Sequence, residues 1–403
     1  MEAQIGWIDF SEKDRKKALD VIHLLQEQGA VDELGMGIIR DAFANIFFPG
    51  TSTVQTRAKY FFIVPYVMKE ACENLKNTSP NKIVRKVDSE ERQCAVIMGD
   101  NDGVIGRDVI PAGGWVERKP SSIYWNGIKK LGIFTYPKLS TYEYYREELI
   151  RRTMKANEAQ GNRSGEENEQ DDDSATASGR RSFWNLPPEY NESWRENLTI
   201  NLKPFEAKWM RKCISENLQN SLFKHIVDHN INVEPLLKTG DPFKALTELV
   251  YKDVTEKMKS LLTLANQFNS LVYLCRILYN IVLSNGNNIR ASELWKSEQK
   301  RMKDISNLDI DLLINSLNIS NKSVKSFLSD MKTYLIEDKI EKAKERIVKR
   351  EVQLKGHKRA KLMRKSDFND DTWIGGHLLD YRFSPTARLI KDIYYAEKNK
   401  EYV

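Results

Sequence analysis

The sequence predicts a mainly α-helical protein built as two helical domains, the first carrying a small loop-rich β element. Three observations lead there. Apolar residues recur at helical spacing, as in Ala18, Val21, Ile22 and Leu25. Capping residues, prolines and glycines mark helix starts and stops at the expected offsets. Between residues 156 and 180 the large apolar residues nearly vanish, while six acids lie between Glu166 and Asp173. Such a stretch cannot bury enough surface to offset its ordering entropy, so it is expected to be a disordered acidic linker. The domains expected around it are residues 1–155, with a glycine-rich insert, and 181–403, with a basic segment at 342–365.

The elements follow in order. Ile5 to Phe10 reads as a short strand, and Ser11 caps a helix that Gly29 stops. A second helix is expected from Ile38 to Phe48, broken at Pro49-Gly50. Ser52 or Thr53 caps a third, through Arg57, Tyr60, Phe61 and Val64, with a kink at Pro65. Residues 77–120 read as loop-rich, with Val96-Ile97-Met98 as a short apolar run and a candidate strand at Trp115-Val116. Ser121 or Ser122 caps a helix ended by Gly132. The Ser140-Thr141-Tyr142-Glu143 capping box opens another. Past the linker, helices are expected from Pro204, from Asp241-Pro242, through Leu261–Leu283, and from Ser323 to about Lys355.

Composition sets limits on function. The chain has 403 residues, 40% of them hydrophobic, with a net charge of +6 and a pI near 8.8. A mean hydropathy of −0.56 is ordinary for a soluble protein. Cys72, Cys94, Cys213 and Cys275 form no CxxC pair, so neither a zinc knuckle nor a thioredoxin-like site is suggested. They fit a reducing compartment. The N-terminus lacks the apolar core of a signal peptide, and polar interruptions at Asn266, Asn269 and Arg276 argue against a membrane span. A cytoplasmic protein with no cofactor and no membrane partner is expected.

Three segments stand out. In the first, Thr51, Ser52, Thr53, Gln55, Arg57 and Lys59 follow a tight turn. Hydroxyl, amide and guanidinium groups at a helix start suit phosphates and base edges, as in a helix-turn-helix reader. The competing reading is a capped helix with a polar outer face. In the second, Arg118 to Gly132, a short helix is flanked by basic residues including Lys129 and Lys130. A winged-helix-like unit is conceivable there, with one of the neighbours Tyr124 and Trp125 in the core. The third, residues 342–365, holds eleven Lys or Arg against two acids and includes Lys355, Lys358, Arg359, Lys361, Arg364 and Lys365. Neutralising phosphates with such a cluster releases counterions and gives salt-dependent binding. A solvated basic helix is the alternative.

Enzyme signatures are weaker. Asp108 (or Asp100 or Asp102), Glu117 and Lys119 imitate the D…ExK pattern of metal-dependent nucleases, in which carboxylates hold Mg²⁺ and the lysine stabilises or orients the nucleophile. Gly99 to Gly106 lacks a Walker lysine. His225 and His229 can share a helix face, but Ile226 stands where a zinc protease needs Glu. No metal site is expected.

Gly6-Trp7-Ile8-Asp9-Phe10-Ser11, Arg40 to Asn45 with Phe47 to Ser52, Ile123 to Gly127, and Leu379 to Phe383 with Arg388 and Asp392-Ile393 together resemble a bacterial family of unknown function. Such proteins neighbour helicases, phospholipase-D-like nucleases and methylases in defence islands. The resemblance implies an accessory part in an anti-phage or restriction-like system and supplies no catalytic residue. The expectation is therefore a non-enzymatic subunit that binds duplex DNA. The alternatives are a scaffold for a helicase or nuclease, or a Mg²⁺ nuclease.

Overall fold

The computed structural model describes residues 32–73, 78–161, 182–191 and 193–398. The expected strand at Ile5–Phe10 and the helix after Ser11 lie outside these residues. Its first helices are α1 (Gly37–Phe47), α2 (Tyr60–Glu73), α3 (Pro80–Met98), α4 (Pro120–Lys130), α5 (Thr141–Gly161), α6 (Pro204–Asn217) and α7 (Leu222–Asp228). There follow α8 (Glu234–Leu237), α9 (Pro242–Val250), α10 (Glu256–Leu283), α11 (Ile289–Glu298), α12 (Met302–Ser306) and α13 (Ile310–Ser316). The last are α14 (Lys322–Ile336), α15 (Ile340–Lys355) and α16 (Phe383–Glu397). The protein is mainly helical, as its sequence predicts.

The chain divides into two compact units: Met1–Asp41 with Lys259–Leu379, and Ala42–Met258 with Asp380–Val403. Each therefore takes pieces from both sides of the other, where the sequence suggests one domain after the next. The acidic segment sits differently too. Residues 156–161 continue α5, and 162–180 lie outside the described residues. Its flanks pair within the same unit: Thr135 N–H donates to the Phe183 carbonyl (2.9 Å) and Asn185 N–H to that of Ile133 (2.8 Å). Phe134 stacks on Phe183 there, with Trp184 edge-on.

The second unit (42–258 with 380–403) is organised by α2, whose run from Tyr60 to Met68 is buried throughout. Pro65 sits inside this helix. It has no amide hydrogen to give the preceding turn, a cost of about 3 kcal/mol that burial of the whole segment offsets. Helices α3, α4 and α5 pack around α2, and α16 packs on α6. The capping box at α5 forms as expected: Ser140 N–H donates to Glu143 Oε2 (2.7 Å) and Glu143 N–H to Ser140 Oγ (3.2 Å). Asp241 caps α9 by accepting from Lys244 N–H (3.1 Å).

Three local expectations fail. Residues 80–98 are a 19-residue helix, not a loop. Ile83, Val87, Cys94, Ala95 and Met98 form one buried face, a helical period hidden by the charged residues between them. There is no β element among the described residues beyond one isolated bridge, Phe134 to Trp184. The glycines from 99 to 114 make successive turns instead. No helix starts at Ser52 or Thr53 either, because α2 begins only at Tyr60.

In the first unit (32–41 with 259–379), α10 is the central helix, with Leu262, Ala265, Phe268, Leu271, Leu274 and Leu278 in the core. The single helix expected from Ser323 to Lys355 is a hairpin. Asp338, at φ 52°, turns the chain between α14 and α15, which pack together. Residues 369–379 run antiparallel to α10. Among the described residues, no helix is long and apolar enough to cross a membrane.

Candidate nucleic-acid interface

The loop 51–59 is built to be held, not to reach outward. Thr51, Gln55, Arg57 and Lys59 are buried; Ser52 is half-buried and Thr53 exposed. Thr51 Oγ1 donates to the Phe48 carbonyl (2.7 Å), and Gln55 Nε2 to that of Gly50 (3.2 Å). The Arg57 guanidinium lies against the Asp392 carboxylate (Nε–Oδ1 2.9 Å) and donates to Asn201 Oδ1 (2.7 Å) and the Asp102 carbonyl (2.9 Å). Lys59 Nζ meets both oxygens of Glu206 at 2.7 Å. Burial pushes the Lys59 ammonium below its ordinary value against the pull of Glu206. A cation already desolvated and paired with a carboxylate gains little from a phosphate. The helix-turn-helix expectation thus loses its reading residues to internal structure.

The same loop explains the resembling motifs. Gly50, at φ 80°, passes so close to Gly127 that a Cβ on Gly127 would stand 2.5 Å from the Gly50 carbonyl oxygen. Tyr124 Oη accepts from Thr56 N–H (2.8 Å) and Arg57 N–H (3.1 Å) and donates to the Arg57 carbonyl (2.9 Å). Arg382 donates to Asn45 Oδ1 (2.7 Å). Three stretches far apart in sequence therefore lock one loop. Tyr124 and Trp125 are both buried, where the sequence suggests only one. A helix wedged between α2 and the Phe134 cluster has two buried faces. Of the neighbouring lysines, Lys130 is exposed, whereas Lys129 is half-buried beneath the Trp125 ring.

The nuclease triplet does not assemble. Asp108 is exposed beside Arg107, Glu117 is exposed, and Lys119 Nζ pairs with Asp88 (3.0 Å). Among the described residues no group of three or more His, Cys, Asp or Glu is placed to hold a metal ion. His225 and His229 share a helix face as expected, with ring centroids 4.2 Å apart.

The basic segment divides into inward and outward cations. Arg350 is buried, donating to the Leu34 carbonyl (2.9 Å) and to Ser323 Oγ (2.6 Å). Lys355 and Lys361 both pair with the buried Glu33 carboxylate. Glu351, fully buried, gathers the turn after α15 around itself. Its oxygens accept from Tyr279 Oη (2.9 Å), Lys361 N–H (3.1 Å) and Leu362 N–H (3.0 Å). Lys342, Lys349, Lys358 and Arg359 are exposed, and no carboxylate among the described residues lies at ion-pair distance from them. Lys342 and Lys349 are seven positions apart, on one stripe of α15. Arg364 is exposed beside Asp367 (3.5 Å), and Lys365 donates to Asn285 Oδ1 (3.0 Å). Residues 32–41 and 259–379 hold 23 Lys and Arg against 17 Asp and Glu, an excess equal to that of the whole chain.

Sequence reasoning reads Asn269 only as a polar interruption and misses the role it shares with Asn280, because their spacing of eleven matches no ligand motif. Asn280 Nδ2 donates to the Ile374 carbonyl (2.9 Å) while its Oδ1 accepts from Ile374 N–H (2.7 Å). Asn269 does the same to Leu379, at 3.1 and 2.7 Å.

No curated protein and no solved structure matches the chain. Residues 2–181 match the model of a family of unknown function, DUF6361, which takes in the first three of the four resembling stretches.

Proposed function

We propose that this chain is a non-enzymatic accessory protein that binds duplex DNA through α15 and the turns after it. The observation that carries the reading is the set of outward cations, Lys342 and Lys349 on α15 and Lys358 and Arg359 on the turn after it, which Glu351 pins from beneath. Outward cations on a helix and a pinned turn meet a phosphate backbone without first giving up carboxylate partners. The contacts assigned to Arg57, Lys59, Lys355 and Lys361 by sequence are set aside, since those cations serve the fold. Arg364, beside Asp367, is a secondary contact of the same unit. The setting in a bacterial defence system, beside helicase, nuclease or methylase partners, follows from the family resemblance and is part of the proposal.

The test is fluorescence anisotropy of a labelled duplex against the purified chain at two salt concentrations. Binding of roughly micromolar strength at low salt is expected, weakening steeply as salt rises. Absence of binding at low salt would overturn the reading.

A further inference from the structure

The segment 370–379 lies along α10 as a bound peptide would. Its hydrogen-bonding anchors on α10 read main chain, while Arg290 lies over the Trp373 ring and the Leu379 side chain is buried. Asn269 and Asn280 each clasp both backbone groups of one residue, Leu379 and Ile374. Arg276 donates to the His377 carbonyl, and Asn288 Nδ2 to that of Asp370 (2.7 Å). Amide side chains that pair with backbone groups hold a segment largely irrespective of its side chains, with glycine favoured at position 375, where φ is 91°.

The occupant fits its groove loosely. Asp370, Asp371, Gly375, Gly376 and His377 are exposed, and the indole N–H of Trp373 is buried without a partner among the described residues. A cavity of about 40 Å³ lies where Ile374, Gly375 and Gly376 meet Val272, Arg276 and Tyr279 of α10 and residues 32–40. That is more room than one water needs. A Cβ on Gly376 would meet only Arg276 Nη1, at 3.7 Å, an ordinary van der Waals distance. A residue with an acidic side chain at that position would place its carboxylate beside a guanidinium.

We propose that the α10 groove is a receptor for an extended segment of a partner protein carrying an acidic residue opposite Arg276, and that residues 370–379 are its displaceable resident. The resident competes at the high effective concentration of a tethered ligand, which keeps the groove closed to weak intruders.

The experiment uses the full chain and labelled synthetic peptides of residues 369–380, one as in the protein and one with Gly376→Glu. An opened variant, Ile374→Pro with Leu379→Pro, removes the two amide hydrogens that the asparagines accept while leaving the groove intact. It is expected to bind the peptides about tenfold or more tighter than the unmodified chain, and the Gly376→Glu peptide tighter than the plain one. Adding Asn269→Ala and Asn280→Ala should abolish the gain. Equal binding by opened and unmodified chains, or binding that survives removal of both asparagines, overturns the proposal. Should the opened variant not fold, hydrogen exchange on the unmodified chain decides. The Ile374 and Leu379 amides are expected to exchange together, about a hundredfold faster than those of Leu274 and Leu278 in α10. Protection equal to α10 overturns displacement, and a dimer that trades segments between copies overturns the partner reading.

Discussion

Arg57 and Asp392 stand 335 positions apart in sequence and 2.9 Å apart in space, both buried. The carboxylate also accepts the Ala58 amide hydrogen at 2.7 Å, so one acid fixes the loop backbone and neutralises its arginine. Removing one partner strands a charge without water. Arg57→Ala should destabilise the second unit by about 3–5 kcal/mol. Chemical denaturation measures this, and a change below about 1 kcal/mol would show that water enters the site. Weaker DNA binding by such a variant would reflect unfolding, and circular dichroism on the same sample separates that from direct removal of a phosphate-binding group.

Glu91 gives the fold a pH dependence with a definite sign. Its buried carboxyl accepts from Ser121 N–H (2.6 Å) at the start of α4, with Asp88 and Lys119 as its nearest charged neighbours. Burial pushes it up to about 8, from an ordinary value of 4.5. A raised acid binds its proton in the folded state, so its contribution is complete below pH 4.5. It fades as pH rises through 8, by an amount on the order of 3–5 kcal/mol. Glu91→Gln keeps an acceptor for Ser121 and should flatten the profile, leaving the variant more stable than the parent at pH 8. Denaturation midpoints at pH 5, 6.5 and 8 check this; parallel profiles would refute it.

Charge reversal of Lys349, Lys358 and Arg359 should weaken duplex binding and reduce the salt slope by about 0.9 for each phosphate no longer neutralised. These side chains are exposed, so stability should change by no more than about 0.5 kcal/mol. A binding isotherm unchanged by all three reversals would remove α15 from the interface.

Glu351 connects the two effects. Glu351→Gln preserves its shape but halves its capacity to accept, and should cost about 1–3 kcal/mol. It should also weaken DNA binding although Glu351 is nowhere near the surface, because the turn bearing Lys358 and Arg359 loosens. Unaltered affinity at full folding would show that the cations do not need the pinned turn.

Much of this was legible in sequence because it is local. Pro204, the Ser140 capping box and Asp241-Pro242 each settle a helix start with a few neighbouring atoms. The misreadings share a different cause. Arg57 and Lys59 look like readers because their carboxylates, on Asp392 and Glu206, lie 335 and 147 positions away. Pro80 to Met98 reads as a loop because its buried face is broken by charged neighbours and followed by glycines. Lys355 and Lys361 count as surface charge until Glu33 is placed between them. The split of the basic segment into pinned and outward cations therefore needs coordinates.

The interleaving of the units bears on how the protein is made. A ribosome adding roughly 5–20 residues per second would need about 20–70 seconds after Arg57 to deliver Asp392. During that interval α2 has no α16 in its unit, and the loop before it carries an uncompensated guanidinium. The second unit cannot finish as a nascent N-terminal domain does; it waits for α16 while the first unit is synthesised between its two halves. Long-range closure of this kind is slow and leaves apolar surface open in the meantime. Yield from a living cell should therefore depend on chaperone supply more than the stability of the finished protein would suggest.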